Sequence, residues 1–335
     1  MHITPEGGGA GISTPPGATT APTLAMTALT YAAMVEETLP WIIQDLLPAG
    51  GSLLIHGQAK QGKSIAAMQM AYAIACGDDE WLGFKVTGHG PVLYVQLDTG
   101  RQIWKERTID MNALGYEAKD LWYVDKVSAP TPFNVLNPLH ALMLRQEVER
   151  IQPVVVFIDV LRKVSALGEN DSDEMIAVLN ALEAAVKPAA LVIITHTKKN
   201  GSGKFATPAR DLLMGGARGS GALVGNVDAI LMILKKKLWF HSRVIDANFL
   251  KVKFQKCGKR SVMWVLDLDQ FHAALAAVLR EGDLVSVSDK ARALADRTGK
   301  KFEACRTAIR HALEDRGPIG AHEGDDEELD DDAKL

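Results

Sequence analysis

The chain has 335 residues, of which 47% are apolar and 23% are charged. This composition is close to the globular average, so it excludes wholesale disorder and leaves room for about two to three domains, or one large domain with appendages. The net charge of −4 is unevenly distributed, because residues 323–335 hold eight acids and one lysine. The rest of the chain is mildly basic. The charge therefore neither requires nor excludes a nucleic-acid partner.

Cellular location is constrained by what the sequence lacks. No apolar run approaches the roughly 20 residues of a membrane-spanning helix, and the N-terminus has no basic region followed by an apolar stretch. Cys76, Cys257 and Cys305 lie far apart and form no CxxC pair. A disulfide scaffold and a cysteine zinc site are therefore not expected, and we expect a cytoplasmic protein without a membrane partner.

Residues 1–38 are rich in Gly, Pro and Thr and are predicted to be disordered. Apolar strand-like runs then alternate with amphipathic helical stretches such as 65–76 and 174–186. The strand candidates are 52–56, 92–97, 121–124, 154–158, 191–195 and 229–234. This alternation predicts an α/β domain over 39–270, with a mostly parallel sheet covered by helices on both faces.

The remaining segments have a different pattern. Residues 249–255 and 261–268 are predicted to form an antiparallel hairpin at the sheet edge. Three short helical patterns follow at 271–280, 287–297 and 301–315. They predict a small helical domain over 271–320, and residues 321–335 are predicted to be an acidic disordered tail.

The most specific motif is a phosphate loop, GxxxxGK[ST]. It is matched in full by Gly57, Gln58, Ala59, Lys60, Gln61, Gly62, Lys63 and Ser64. An apolar strand-like run precedes it and an apolar helical run follows, which is the context that the motif requires. We therefore predict that it binds ATP or GTP: the loop amides hold the phosphates, Lys63 reaches the β- and γ-phosphate oxygens, and Ser64 binds Mg²⁺.

Polar residues follow three other strand-like runs. Asp159 ends the run 154–158 and is predicted to hold the Mg²⁺, because ligands of open α/β sheets sit at the carboxyl edge. Asp98 is the candidate for positioning the attacking water, or else it is a cap or loop residue. His196 is either a satisfied polar group or a group that senses the γ-phosphate.

Together these motifs resemble the RecA-like P-loop ATPases of the plasmid hexameric replicative helicase RepA type, which occur in phages and mobile elements. The resemblance covers about 40–268 and rests on HGQAKQGKS, VLYVQLD, VVVFIDVLRKVSALGENDSDEM, LVIITHTKK and ARGSGALVGNVDAIL. In this family a Leu-Arg pair and an acidic, Asn-containing stretch follow the metal-binding Asp, as Leu161, Arg162 and residues 169–171 do here. The resemblance implies a RecA-like fold and a ring or filament, with a homo-hexamer favoured, that hydrolyses ATP with Mg²⁺ and acts on single-stranded DNA.

The resemblance also assigns residue roles. Arg218 matches an arginine that such proteins direct at a neighbouring subunit's nucleotide, and His196 falls where the family keeps a histidine. Two positions depart from the pattern. The family usually has Glu in place of Asp98, and Lys256 alone remains of the Lys and Arg that its terminal hairpin commonly carries.

Basic segments offer possible contacts to nucleic acid. The loops 198–204 and 214–221 either follow the phosphates of a single strand or are plain exposed linkers, and 235–237 is predicted to be a solvated turn. The terminal helices resemble a helix-turn-helix or winged-helix module, although three short helices also build protein-docking domains. In the first case Lys300, Lys301, Arg306 and Arg310 would face DNA.

Three functions remain open at this point. The chain is predicted to be an ATPase that works as a helicase or single-strand translocase in plasmid or phage replication. The alternatives are an ATP-dependent regulatory DNA-binding switch, which the Asp98 departure favours slightly, and a filament-forming recombination mediator. A replication or recombination protein is a possible partner of the terminal helices or the acidic tail.

Overall fold

The computed structural model describes residues 27–29, 40–165, 172–197, 209–215, 221–257, 261–268, 270–280, 286–298, 300–314 and 321–323. The chain divides into two compact units, Met1–Thr38 and Leu39–Leu335, and the elements below all belong to the second. Several predictions concern residues outside the described ones: the disorder of 1–26 and 30–38, the acidic stretch 169–171, the loop 198–204, residues 216–220 with Arg218, and the tail beyond 323.

The strands are β1 (Trp41–Ile43), β2 (Leu47–Pro48), β3 (Ser52–Gly57), β4 (Glu80–Trp81), β5 (Phe84–Lys85), β6 (Val92–Gln96), β7 (Leu121–Asp125), β8 (Val155–Asp159), β9 (Ala190–Ile194), β10 (Ala229–Leu234), β11 (Lys237–Ser242), β12 (Asn248–Cys257), β13 (Ser261–Leu266) and β14 (Ala321–Glu323). The main sheet has the order β13-β12-β11-β10-β3-β9-β8-β6-β7, and β14 pairs with β12. From β10 to β7 all neighbours are parallel, whereas β11 to β14 are antiparallel.

The helices are α1 (Lys63–Cys76), α2 (Arg101–Ala113), α3 (Pro138–Ile151), α4 (Ser172–Val186), α5 (Ala209–Gly215), α6 (Gly221–Gly225), α7 (Gln270–Arg280), α8 (Val287–Thr298) and α9 (Phe302–Glu314), with a 3₁₀ turn at Leu161–Lys163. Among the helices in the described part of the chain, none is both long and apolar enough to cross a membrane.

Strands β3, β6, β8, β9 and β10 are buried on both faces, as their continuous apolar sequences predict, whereas β7 at the sheet edge is partly exposed. Side chains alternate along each strand, so Leu53 and Ile55 of β3 join the cluster that contains α1, whereas Leu54 joins the cluster that contains α3 and α4. The predicted fold class, a mostly parallel α/β sheet followed by short helices, is confirmed. In this arrangement the ends of β3, β6, β8 and β9 meet at one edge of the sheet.

The terminal helices have a small core of their own. It consists of Leu275, Val278, Ala291, Leu294, Cys305 and Ile309. Ser286 caps α8, because its hydroxyl accepts a hydrogen bond from the Asp289 amide at 3.1 Å. Lys300, Lys301 and Arg310 are exposed, and Arg306 is half-buried beside Glu303. All four cations lie on α9 or directly before it.

Two segments of the main sheet differ from the sequence prediction. Strand β11 was not predicted, because it follows the lysine run at 235–237 and is joined to β10 by only two residues. Residues Ala321–Glu323, predicted as the start of the disordered tail, instead form β14 and pair with Asn248–Leu250 of β12. Three residues are too few to show a strand pattern, and the open edge of a distant strand supplies their backbone partners.

The turn between β10 and β11 is strained, because Lys235 and Lys236 both have positive φ, at 46° and 61°. Such a two-residue hairpin turn favours Asn-Gly, since a Cβ at positive φ costs about 1 kcal/mol or more. The double replacement Lys235→Asn with Lys236→Gly should raise the free energy of unfolding by about 1 kcal/mol, measured by urea denaturation. Lys126→Gly, in a turn without positive φ, is the control and should not stabilise; equal effects would contradict the strain.

Candidate nucleotide site

The phosphate loop leaves β3 at Gly57 and enters α1 at Lys63. Gly57 has φ 156°, and a Cβ there would lie 2.7 Å from the carbonyl oxygen of Ile233. Gly62 has φ 79° and caps α1, and its Cβ would lie 2.8 Å from the rings of Phe254 and Trp264. Both positions therefore require glycine, for conformation and for space.

Lys63 folds back over the loop that carries it. Its ammonium donates to the carbonyl oxygens of Gly57 at 2.9 Å and Gln58 at 2.7 Å, and lies 3.2 Å from Nδ1 of His196. Burial lowers the pKa of Lys63 to about 8, against the opposing attraction of Asp159 and Asp98. The cation is thus held at the mouth of the loop, where phosphate oxygens would meet it.

The lowered pKa predicts a pH-dependent binding of nucleotide. Phosphates beside Lys63 stabilise its charged form, so binding above pH 8 must be accompanied by proton uptake. The uptake should rise steeply as the pH is raised from 7.5 to 9 and approach one proton well above the pKa of about 8. Calorimetry of ATP binding in two buffers of different ionisation enthalpy measures it. Lys63→Met should abolish this rise, and the same rise in that variant would assign the proton to another group.

Asp159 ends β8 and is buried. Its two carboxylate oxygens accept hydrogen bonds from the Ser64 hydroxyl at 3.2 Å and the Tyr94 hydroxyl at 2.9 Å. Burial raises the pKa of Asp159, while these two hydrogen bonds and Lys63 act in the opposite direction. A cation beside Asp159 would stabilise the charged form of this buried carboxylate.

Asp98 lies two residues beyond β6 and faces the same cavity. Its Oδ1 accepts a hydrogen bond from Nη2 of Arg162 at 3.1 Å, and about 38% of its side chain is exposed. The amide of Leu97 donates to the carbonyl oxygen of Asp159 at 2.9 Å, so the ends of β6 and β8 are tied together. Asp98 is accordingly a solvent-accessible carboxylate beside a buried one.

Four residues of the phosphate loop line one cavity of about 420 Å³ together with Asp98, Asp159 and His196. It is bounded by Lys60, Gly62, Lys63, Ser64, Ile65, Asp98, Thr99, Arg107, Asp159, Val160, Ile194, His196, Phe254 and Val262. The volume lies within the roughly 300–1,000 Å³ of small-molecule sites. The structure thus brings together the phosphate loop, Asp98, Asp159 and His196, and their roles remain predictions.

The donor set fits a nucleotide with Mg²⁺. Gly57 and Gly62 place no side chain at their positions in the loop, and the Lys63 ammonium lies against the loop carbonyls. The Ser64 hydroxyl and the Asp159 carboxylate, already 3.2 Å apart, are the oxygen ligands that Mg²⁺ prefers. No cluster of three or more His, Cys, Asp or Glu that could hold a metal occurs among the described residues. Mg²⁺ is commonly held by one or two protein oxygens together with substrate phosphates, so two protein ligands suffice.

Sequence reasoning missed several residues of this cavity. Arg107 of α2 lines it with a buried Nη1 that has no hydrogen-bond partner among the described residues, and its guanidinium lies 5.6 Å from the centroid of the Trp104 ring. Tyr94 does not line the cavity but donates a hydrogen bond from its hydroxyl to Asp159, and the sequence shows it only as a residue of an apolar strand. In the sequence, Arg107 is an arginine nine residues beyond Asp98 on a mostly exposed helix. Its spacing does not indicate a position beside the phosphate loop.

The segment that precedes Arg218 is tied to the phosphate-loop strand. Nε2 of His56, on β3, lies 3.1 Å from the carbonyl oxygen of Leu213 on α5. Burial lowers the pKa of His56 to about 4, so the ring is neutral at physiological pH and its Nε2 proton is donated to Leu213. The structure therefore anchors the chain five residues before Arg218.

The phosphate loop and the two carboxylates lie within the match to a known protein family. The sequence model of a family described as "AAA domain" matches residues 20–202, more than half of the chain, and includes the phosphate loop, Asp98, Asp159 and His196. No curated protein sequence matches the chain. Among solved structures, a KaiC-like protein of the hyperthermophilic archaeon Pyrococcus horikoshii OT3 is similar, with 16% identity and a TM-score of 0.42. That match covers 67% of this chain and 93% of the other.

Proposed function

The chain belongs to this AAA domain family, and we propose that it is a Mg²⁺-dependent RecA-like ATPase that acts on DNA as a RepA-type helicase or single-strand translocase. The observation that carries the proposal is the shared cavity, in which Lys63, Ser64 and other residues of the phosphate loop lie beside one buried and one accessible carboxylate. A phosphate-binding protein without turnover would not need the second carboxylate. ATP is the proposed substrate.

Different residues of the cavity have different roles in the proposed hydrolysis. Amides of the loop and Lys63 bind the β- and γ-phosphates, and Ser64 with Asp159 would hold Mg²⁺, which when bound neutralises charge on the transferred phosphoryl group. Asp98 accepts a proton from the attacking water or orients it. His196, adjacent to Lys63, is placed to contact the γ-phosphate, and Arg107 offers a further guanidinium.

The connection to DNA is supported by the sequence resemblance and by the exposed cations next to α9. Steady-state ATP turnover should rise when single-stranded DNA is added, and a forked duplex should be separated in an ATP-dependent reaction. Size measurements should find a hexamer that forms or tightens with a non-hydrolysable ATP analogue. ATP turnover that ignores DNA, in a protein that separates no strands, would contradict the motor.

A regulatory switch is the second candidate, favoured by one observation. Asp98 is one methylene shorter than the usual Glu and is held by Arg162, which limits its reach toward a water. A switch would bind ATP tightly, turn it over slowly and change its DNA affinity with nucleotide. Turnover with and without DNA separates the switch from the motor, and a forked duplex then separates a helicase from a recombination mediator.

Arg218 is proposed to act on the nucleotide of a neighbouring subunit. Subunits carrying Arg218→Ala, mixed with subunits carrying Lys63→Ala, should regain part of the lost hydrolysis. Some interfaces then pair an intact Lys63 with an intact Arg218, and such an arginine is worth about 10³-fold or more. No recovery in mixtures that exchange subunits would contradict the trans role.

A further inference from the structure

The nucleotide cavity has an apolar wall that the phosphate chemistry does not use. Ile65, Phe254 and Val262 line it together with the phosphate loop. Phe254 and Val262 are 42% and 36% exposed, although both belong to strands of the terminal hairpin β12–β13. Large apolar side chains that remain exposed inside a polar cavity mark a place where a ligand covers them.

Phe254 presents one face of its ring to the cavity and the other to the protein. Its ring stacks on Trp264 with centroids 3.7 Å apart and planes inclined by 26°. Trp264 is 2% exposed, and its ring covers one face of Phe254. Phe254 remains 42% exposed beside the cavity, where a flat ligand could stack on its other face.

Hydrogen bonds fix the position of the Phe254–Trp264 pair relative to the phosphate loop. The indole nitrogen of Trp264 donates to the carbonyl oxygen of Gly62 at 3.1 Å, and the Trp264 backbone exchanges two hydrogen bonds with the Gln69 side chain, at 2.8 and 2.9 Å. Gly62 is the residue before Lys63. Phe254 is therefore preorganised beside the point where the phosphates bind, and a ligand gains both contacts without reordering the chain.

We propose that Phe254 is the stacking platform for the nucleobase of the bound nucleotide, with Val262 and Ile65 completing the apolar wall. The inference rests on the proposed function, since it concerns the same site. None of these three side chains has a hydrogen-bonding group, so the base is held by its face and its edge is not read. Purines, which stack over a larger area, bind more tightly than pyrimidines, and ATP and GTP bind with affinities within about tenfold of each other.

The test compares a nucleotide with a ligand that has no base. Dissociation constants for ATP, GTP, CTP and inorganic tripolyphosphate, each with Mg²⁺, are measured on the full chain and on Phe254→Ala. Loss of base stacking should weaken ATP binding by about five- to a hundredfold. The affinity for tripolyphosphate should change less than about twofold, because the phosphate loop is intact.

Two further variants and one control distinguish a loss of base stacking from a folding defect. Phe254→Leu keeps apolar packing on Trp264 but removes the aromatic face, so it should lose ATP affinity like the alanine variant. Phe254→Trp should retain or strengthen ATP binding. Trp122→Ala, on β7 and 41% exposed outside the cavity, is the matched control and should leave all four affinities unchanged.

The outcomes distinguish the stacking role of Phe254 from nucleotide binding at the site as a whole. If the unaltered protein binds neither ATP nor tripolyphosphate, the proposed function is wrong. If Phe254→Ala binds ATP as tightly as the unaltered protein, or loses ATP and tripolyphosphate equally, the platform alone is wrong. A changed oligomeric state with unchanged ATP affinity would instead assign the exposed ring to a contact between copies and would also overturn the platform.

Discussion

Replacing Lys63 with alanine should reduce ATP turnover by at least about a hundredfold and weaken nucleotide binding. Lys63 is the cation at the mouth of the phosphate loop, and the loss of one preorganised donor to developing negative charge costs about 10²- to 10³-fold. Steady-state phosphate release and the ATP dissociation constant measure the two effects. Lys63 is buried, and its ammonium is directed at the carbonyl oxygens of Gly57 and Gln58.

The fold should survive this replacement. The Gly57 carbonyl oxygen keeps a second partner, the amide of Thr197 at 3.1 Å, so removal of Lys63 does not leave it unsatisfied. Lys119→Ala, an exposed lysine far from the cavity, is the control for loss of a positive charge and should retain full activity. Undiminished turnover in a folded Lys63→Ala protein would show that the phosphate loop is not the hydrolytic site.

The parallel core was predictable from the sequence because its strands are buried on both faces. Such strands are continuous apolar runs, and the observed β3, β6, β8, β9 and β10 differ from their predicted ranges by a residue or two at most. The polar residues that follow these runs could be grouped for the same reason, since parallel strands bring their carboxyl ends to one edge. The geometry of Asp98, Asp159 and His196 follows from that rule.

The rest of the site depends on contacts between residues far apart in the chain. Tyr94 reaches Asp159 across two neighbouring strands, and Arg107 reaches the cavity from a mostly exposed helix. Phe254 lies on Gly62 because the hairpin folds over α1, where Gln69 pairs with the Trp264 backbone. No local period or spacing encodes such pairings, so they could be found only in three dimensions.

The second large effect is expected at Asp98. Asp98→Asn keeps the size of the side chain and an acceptor for Arg162 but removes the negative charge that would polarise a water. Hydrolysis should fall by about a hundredfold or more while ATP binding is retained, because general-base catalysis contributes about 10²–10⁴-fold. The measurements are single-turnover hydrolysis and, separately, the ATP dissociation constant.

A neighbouring strand supplies the matched control. Asp125 ends β7 at the same edge and is held by Arg101 much as Asp98 is held by Arg162, but it does not line the cavity. Asp125→Asn should therefore leave turnover unchanged. An equal loss in both variants would mean that charge at the sheet edge, or its ion pairs, supports the fold and not the chemistry.

Asp98→Glu distinguishes a slow motor from a switch. The longer side chain restores the reach that the family usually has, and Arg162 can still pair with it because both groups are partly exposed. If Asp98 positions the water, turnover should rise in Asp98→Glu and disappear in Asp98→Asn. If turnover is indifferent to all three side chains, the water is positioned by another group. His196, beside the Lys63 ammonium at 3.2 Å, would then be the next residue to replace.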